Sequence, residues 1–175
     1  MDAYLALIGK REVRRYRSRT IPGEVLTQIV EAGRASGSSR NRQPWRFILI
    51  TERARLRAVA PFVSRPANVE GCAAAIVVAL TNPRMQFDAG RTAQNMMLAA
   101  WSLGIGTCPN TPIEEGTLKT LLGLPDETSV PTILSLGYPA PGEPRPNPRA
   151  NPTAVLARIN RLPLRTVLLR EIYAT

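Results

Sequence analysis

The sequence predicts a single domain in which helices pack on a β-sheet, and three stretches predict it. Ala73-Ala74-Ala75-Ile76-Val77-Val78-Ala79-Leu80 is apolar without alternation, the pattern of a strand buried on both faces in the middle of a sheet. Asp88 to Leu103 is the strongest helix of the chain: Ala93, Met96, Met97, Ala100 and Trp101 form a broad apolar stripe, and Asp88 is placed to cap the start. Pro131 to Pro139 reads as another strand, which leaves through a turn. The 175 residues contain no internal repeat and no second domain, and a chain of this length buries roughly two-thirds of the surface its unfolded form exposes.

From the N-terminus, Ala3 to Ile8 reads as a short helix with Leu5 and Ile8 inward. A basic stretch follows, Lys10-Arg11-Glu12-Val13-Arg14-Arg15-Tyr16. One reading is a solvated face, since cations are favoured at the negative pole of a helix. The other is a phosphate clamp, because guanidinium forks meet phosphate oxygens two at a time and charge-assisted bonds are roughly twice as strong as neutral ones. Ile21-Pro22-Gly23-Glu24 opens the next helix, with Val25, Leu26, Ile29 and Val30 at helical spacing and an end near Gly33 to Gly37. The polar loop Ser36-Gly37-Ser38-Ser39-Arg40-Asn41-Arg42-Gln43-Pro44-Trp45 then leads into a strand over Arg46 to Thr51. A helix-to-strand turn needs only a few residues, so this supply of hydroxyl and amide groups either holds a polar ligand or bonds its own backbone.

Glu52 to Ala60 is expected to be a helix with Leu56 and Val59 inward, followed by a proline-interrupted crossing from Pro61 to Pro66. After the long helix, Gly104 and Gly106 read as a helix stop; they follow a helix rather than a strand, so a dinucleotide fingerprint is excluded. Leu118 to Leu122 makes a short helix ended by Gly123-Leu124-Pro125, with Glu114 and Glu115 near its start. Six prolines between Pro139 and Pro152 force an extended course over the surface.

Charge and composition narrow the function classes. Lys and Arg number 23 against 13 Asp and Glu, a net charge of +10 that would attract nucleic acid, a membrane surface or phosphorylated ligands. The cations are spread from Lys10 to Arg170, and two Trp, four Tyr and three Phe form no base-stacking platform, so nucleic acid is not the expected partner. The chain has no histidine, and its two cysteines, Cys72 and Cys108, lie far apart, which excludes a zinc site and any histidine base. Cys108 reads as a small buried residue rather than an activated thiol. The apolar stretches are too short to cross a bilayer, and Met1-Asp2-Ala3-Tyr4 lacks a secretory layout, so the expected location is the cytoplasm.

The order of residues in the polar loop adds a resemblance. Ser38, Ser39, Asn41, Gln43, Pro44 and Trp45 match in register the signature Ala-Pro-Ser-Ser-x-Asn-x-Gln-Pro-Trp of the FMN-dependent nitroreductases, with Gly37 where proline is usual. Asp88 to Ala100 with Leu103 to Pro109 resembles that family's second hallmark, and the strand closing in Gly137-Tyr138-Pro139 resembles the third. Lys10, Arg11, Arg14 and Tyr16 match its basic motif, in which Glu12 replaces a serine, and Arg161 to Leu164 resembles its closing Arg-x-Pro-Leu.

The resemblance implies an α+β fold, one nitroreductase-like domain over residues 1–175. It has a mixed, mainly antiparallel sheet flanked by helices, and forms an intertwined homodimer with two FMN sites at the interface. Lys10 and Arg11 would approach the FMN phosphate and ribityl chain. Arg14 would lie near N1 and O2, where a fixed positive charge stabilises the negative charge that reduction brings. Glu12 would repel a phosphate unless it turns toward Arg11 or Arg15. Ser38, Ser39 and Asn41 would contact flavin bound mainly by the neighbouring subunit, and Asn68 would read the pyrimidine edge. The loop Pro109-Asn110-Thr111 would present backbone amides near N5, and Arg161 would return to the phosphate. No catalytic side chain and no metal is implied, because the chemistry lies on the flavin. The implied activity is a ping-pong reaction in which NADH or NADPH reduces FMN and an electron-poor small molecule, such as a nitroaromatic or a quinone, follows. Two other readings remain: a different flavin duty, such as dehalogenation or flavin cleavage, and a basic nucleic-acid-binding protein without enzyme activity.

Overall fold

The computed structural model describes residues 2–171. Its helices are α1 (Ala3–Gly9), α2 (Gly23–Arg34), α3 (Arg53–Val59), α4 (Pro66–Glu70), α5 (Gln86–Ser102), α6 (Glu115–Leu122), α7 (Pro152–Arg158) and α8 (Leu164–Val167). Its strands are β1 (Trp45–Ile50), β2 (Ala74–Leu80), β3 (Gly106–Asn110) and β4 (Ser129–Gly137), in the spatial order β1-β2-β4-β3. All three strand pairings are antiparallel, and the parallel component is one isolated bridge between Glu12 and Thr107.

β2 is an inner strand, and every one of its residues is buried. Because side chains alternate along a strand, Ala74, Ile76, Val78 and Leu80 enter one core layer with Leu26 and Ile29 of α2 and Ala93, Met96 and Ala100 of α5. Ala75 and Val77 enter the other, with Leu56 and Val59 of α3, Val69 of α4 and Leu118 of α6. Two helical layers on one sheet therefore explain the unbroken apolar run. No helix among the described residues is long and apolar enough to cross a membrane.

Two expectations are corrected. The long helix begins at Gln86, because the Met85 carbonyl already accepts the Asp88 and Ala89 amides, so Asp88 lies in the first turn rather than at the cap. Pro109 and Asn110 belong to β3 and not to a loop; β3 is an edge strand, where proline's missing donor costs no pairing. The proline-rich segment has no helix or strand until α7, as expected, and Glu143 ties it to Arg15 at 2.7 Å.

Candidate functional site: a basic segment docked on β3

Gly106 and Gly137 are direct partners across β3 and β4, and together they make a slot in the sheet. A β-carbon on Gly106 would lie 2.6 Å from Val13 Cβ, and one on Gly137 would lie 2.6 Å from Tyr16 Cδ1. Only paired glycines let the basic segment lie this close. It is held there by the Val13 amide donating to the Thr107 carbonyl at 3.0 Å and by the Tyr16 hydroxyl, which bonds the Val13 carbonyl at 2.7 Å and Ser135 Oγ at 2.9 Å. Burial pushes the Tyr16 phenol far above its ordinary value, so it stays neutral.

On this anchored segment Lys10 Nζ donates to Glu12 Oε1 at 2.6 Å and contacts Met97 Sδ of α5 at 3.4 Å. The Lys10 side chain is only 6% exposed. Glu12 takes neither of the two turns that would keep it from a phosphate, toward Arg11 or toward Arg15: it pairs with Lys10, and Arg15 is taken by Glu143. Burial raises the Cys108 thiol, against the pull of the Arg14, Lys10 and Arg65 charges. Two buried oxygens on the bridged pair, Glu12 Oε2 and Thr107 Oγ1, have no hydrogen-bond partner among the described residues. Buried polar atoms are normally paired, so this basic site beside β3 is chemically unfinished.

Around it the predicted residues fall into three groups. Asn68 and Asn110 are buried together beside Cys108, Asn68 Nδ2 donating to Asn110 Oδ1 at 2.8 Å. Asn110 Nδ2 turns into the protein and donates to the Cys108 and Ile133 carbonyls, each at 3.0 Å. Pro109 and Thr111 are exposed beside it, the Thr111 carbonyl accepting from the Ser64 amide. Arg11 is turned away: its Nη1 donates to the Ile8 carbonyl at 2.7 Å and the Lys10 carbonyl at 2.9 Å, closing the C-terminus of α1. Arg161 is exposed and bonds the Asn160 carbonyl, and no bond of the described residues brings it to Lys10.

Ser38, Ser39 and Asn41 form the third group. Arg40, Asn41 and Gln43 have φ of 52°, 54° and 49°, left-handed values that cost on the order of 1 kcal/mol each for residues other than glycine. The loop bonds itself through Ser38 Oγ, which accepts the Gln43 amide at 2.9 Å, and through Asn41 Oδ1, which accepts Gln43 Nε2 at 3.1 Å. One stripe of α5 pins it: Asp88 Oδ2 accepts the Ser39 amide at 3.3 Å, and Asn95 Nδ2 donates to Ser36 Oγ at 2.8 Å. Met97, which Lys10 touches, lies nine residues past Asp88 and two past Asn95, so α5 braces both the loop and the basic segment.

Sequence reasoning missed Arg65. It stands as a lone cation before Pro66, with no neighbouring pattern, and only the docking of α4 carries it toward Cys108.

With this geometry the chain matches the family model described as Nitroreductase family over residues 7–82 and 73–138. The chain belongs to the nitroreductase family. An Archaeoglobus fulgidus relative described as an NADH dehydrogenase/NAD(P)H nitroreductase is 32% identical over 151 residues, covering 79% of this chain and 87% of its own. The NADPH-flavin oxidoreductase of Vibrio harveyi is 28% identical over 153 residues, covering 76% of this chain and 64% of its own. The solved structure of nitroreductase A from Vibrio parahaemolyticus superposes with a TM-score of 0.82 at 26% identity, covering 100% of this chain and 78% of that one. For a nitroreductase-family chain these residues are a suitable donor set: the exposed Arg14 and Arg65 guanidinium groups for an anion, and unpaired oxygens for a hydroxylated ligand.

Proposed function

We propose that this nitroreductase-family protein is a homodimeric FMN-dependent oxidoreductase that takes reducing equivalents from NADH or NADPH and passes them by a ping-pong route to nitroaromatics, quinones or similar acceptors. The observation that carries this reading is the basic segment docked on β3, where the Lys10–Glu12 pair stands beside two unpaired buried oxygens in a chain of this family. The Vibrio harveyi relative, named an NADPH-flavin oxidoreductase, supports the choice of cofactor and donor.

Arg14 and Arg65 supply exposed positive charge for the phosphate and for the edge of the ring that becomes negative. Lys10 and Glu12 form a pair beside α5, and the β3 end through Pro109 to Thr111 is the proposed approach to the ring. When bound, the flavin supplies the redox chemistry itself. Burial raises the Tyr16 phenol and the Cys108 thiol, so both stay protonated at neutral pH, and the chain has no histidine.

A second copy completes the site, with the signature loop of one chain facing the flavin of the other. The tail supports this assembly: Leu162, Leu164, Val167, Leu168 and Leu169 are exposed together, and a grouped apolar patch marks an interaction surface. Arg161 precedes that patch, and the neighbour's basic site is its proposed destination. β1 offers a matching free edge, bordered by a groove of about 570 Å³ that includes Ile48, Leu49 and Ile50.

The test is an absorption spectrum of the purified protein with a light-scattering mass. Expected are flavin bands, bleaching with NADH or NADPH in the absence of oxygen, recovery on adding a nitroaromatic or quinone, and twice the chain mass of 19.1 kDa. A colourless protein that takes up no FMN overturns the reading.

A further inference from the structure

We infer that Glu12 is an acceptor for a hydroxyl on the cofactor's ribityl chain, and that Lys10 serves to hold this carboxylate rather than to bind the phosphate. The inference rests on the FMN reading above and assigns a role within that site.

The argument begins from an unbalanced carboxylate. Glu12 Oε1 is taken by Lys10 Nζ at 2.6 Å, whereas Glu12 Oε2 is buried and has no partner among the described residues. A carboxylate oxygen out of water costs free energy unless a donor meets it. The side chain cannot retreat to solvent by moving its backbone: Glu12 is bridged to Thr107, and Val13 beside it is wedged against Gly106. Nor does Lys10 swing free, being almost wholly buried between Glu12 and Met97. The Glu12 side chain as a whole is 36% exposed, so this buried oxygen lies within reach of a ligand, and a ligand hydroxyl supplies the donor it lacks.

What the ligand presents follows from the pair's chemistry. A phosphate has no proton to give at neutral pH and is repelled by the carboxylate, while the charge on Lys10 is already neutralised by its 2.6 Å contact. Phosphate binding thus falls to the exposed guanidinium groups, Arg14 and Arg65. An alcohol suits the pair, because one hydroxyl both donates to a carboxylate and accepts from an ammonium. Thr107 Oγ1, also buried and unpaired, sits across the bridge from Glu12 and offers a second such contact. A row of hydroxyls next to a phosphate is the ribityl phosphate of FMN, and its attraction to a carboxylate is a charge-assisted bond.

The experiment titrates flavin-free protein with FMN, with riboflavin, which keeps the ribityl chain without phosphate, and with lumiflavin, which keeps the ring without the chain. Flavin fluorescence quenching reads the affinities. Glu12→Gln puts an amide where the free oxygen stands; it is expected to weaken FMN and riboflavin about tenfold or more and to leave lumiflavin within about twofold. Glu12→Ala, which leaves no acceptor on the side chain, gives the same pattern should the glutamine variant not fold, as circular dichroism would report. Unchanged or tighter FMN binding, or an equal loss for lumiflavin, overturns the inference while the wild-type protein still binds FMN. A wild-type protein that quenches none of the three flavins overturns the FMN reading and this inference with it.

Discussion

Gly106→Ala tests whether the basic segment is set by a steric slot. Gly106 does not have a positive φ, so an alanine there meets no backbone strain, and its effect comes from contact alone. Its methyl would lie 2.6 Å from Val13 Cβ and 2.7 Å from each Val13 γ-carbon, about 0.8 Å inside a normal contact of about 3.5 Å. Val13 is fully buried and cannot rotate its branched side chain away, so the segment must lift or the sheet must open. Overpacking of this kind costs about 1–3 kcal/mol, which for a chain of this size lowers Tm by about 2–12 °C. A lift of the order of 0.8 Å also moves Lys10, Glu12 and Arg14 out of register with the cofactor, and FMN affinity is expected to fall about tenfold. The assay is thermal unfolding with flavin retention measured on the same preparation. Adding Val13→Ala removes two of the three crowding atoms and is expected to restore part of both losses. A Gly106→Ala protein that melts within about 1 °C of wild type with full flavin content refutes the slot.

Three further outcomes follow from the structure. Asp88→Asn weakens the acceptor for the Ser39 amide while keeping size, and is expected to cost about 1 kcal/mol in denaturant unfolding and to speed hydrogen exchange at that amide; unchanged exchange would show that the loop holds itself. The Arg15 guanidinium holds the Glu143 carboxyl below the usual carboxylate range, so the stability it contributes is present above the ordinary glutamate value of about 4.3 and is lost as pH falls through the lowered folded value. Proteolysis of the 139–151 segment should rise in that acid window for wild type and not for Glu143→Gln, which lacks the tether at every pH. Burial raises the Cys72 thiol to about 11 and also raises Cys108, so the native protein should show no fast-reacting thiol at pH 7.5 and two after unfolding; rapid labelling of the native protein would contradict the burial.

The fold was largely legible because its signals are local. The unalternating run at β2, the α5 stripe and the strand ending in Gly137 each follow from the period of side chains along one element, which a short window of sequence contains. Element starts were less legible. Asp88 has the chemistry of a cap, yet the helix begins two residues earlier and its carboxylate serves a loop 49 positions away in sequence. Site residues divided in the same manner. Among the motif positions, Lys10 pairs with Glu12 and Asn68 with Asn110, whereas Arg11 bonds α1, and Arg65 had no local mark at all.

By itself, the sequence determined where β1, β2, β4, α2, α3, α5 and α6 lie, though not β3 or α4, that the sheet is covered on both faces, and that any acid-base group would have to be something other than histidine. Only the tertiary structure decided which charge meets which: Lys10 with Glu12, Arg15 with Glu143, Asp88 with the Ser39 amide. The reason is physical. A side chain's periodicity belongs to its own element, but the partner of a charge depends on where distant elements dock, and here that is set by two facing glycines that let one basic segment settle into the end of the sheet.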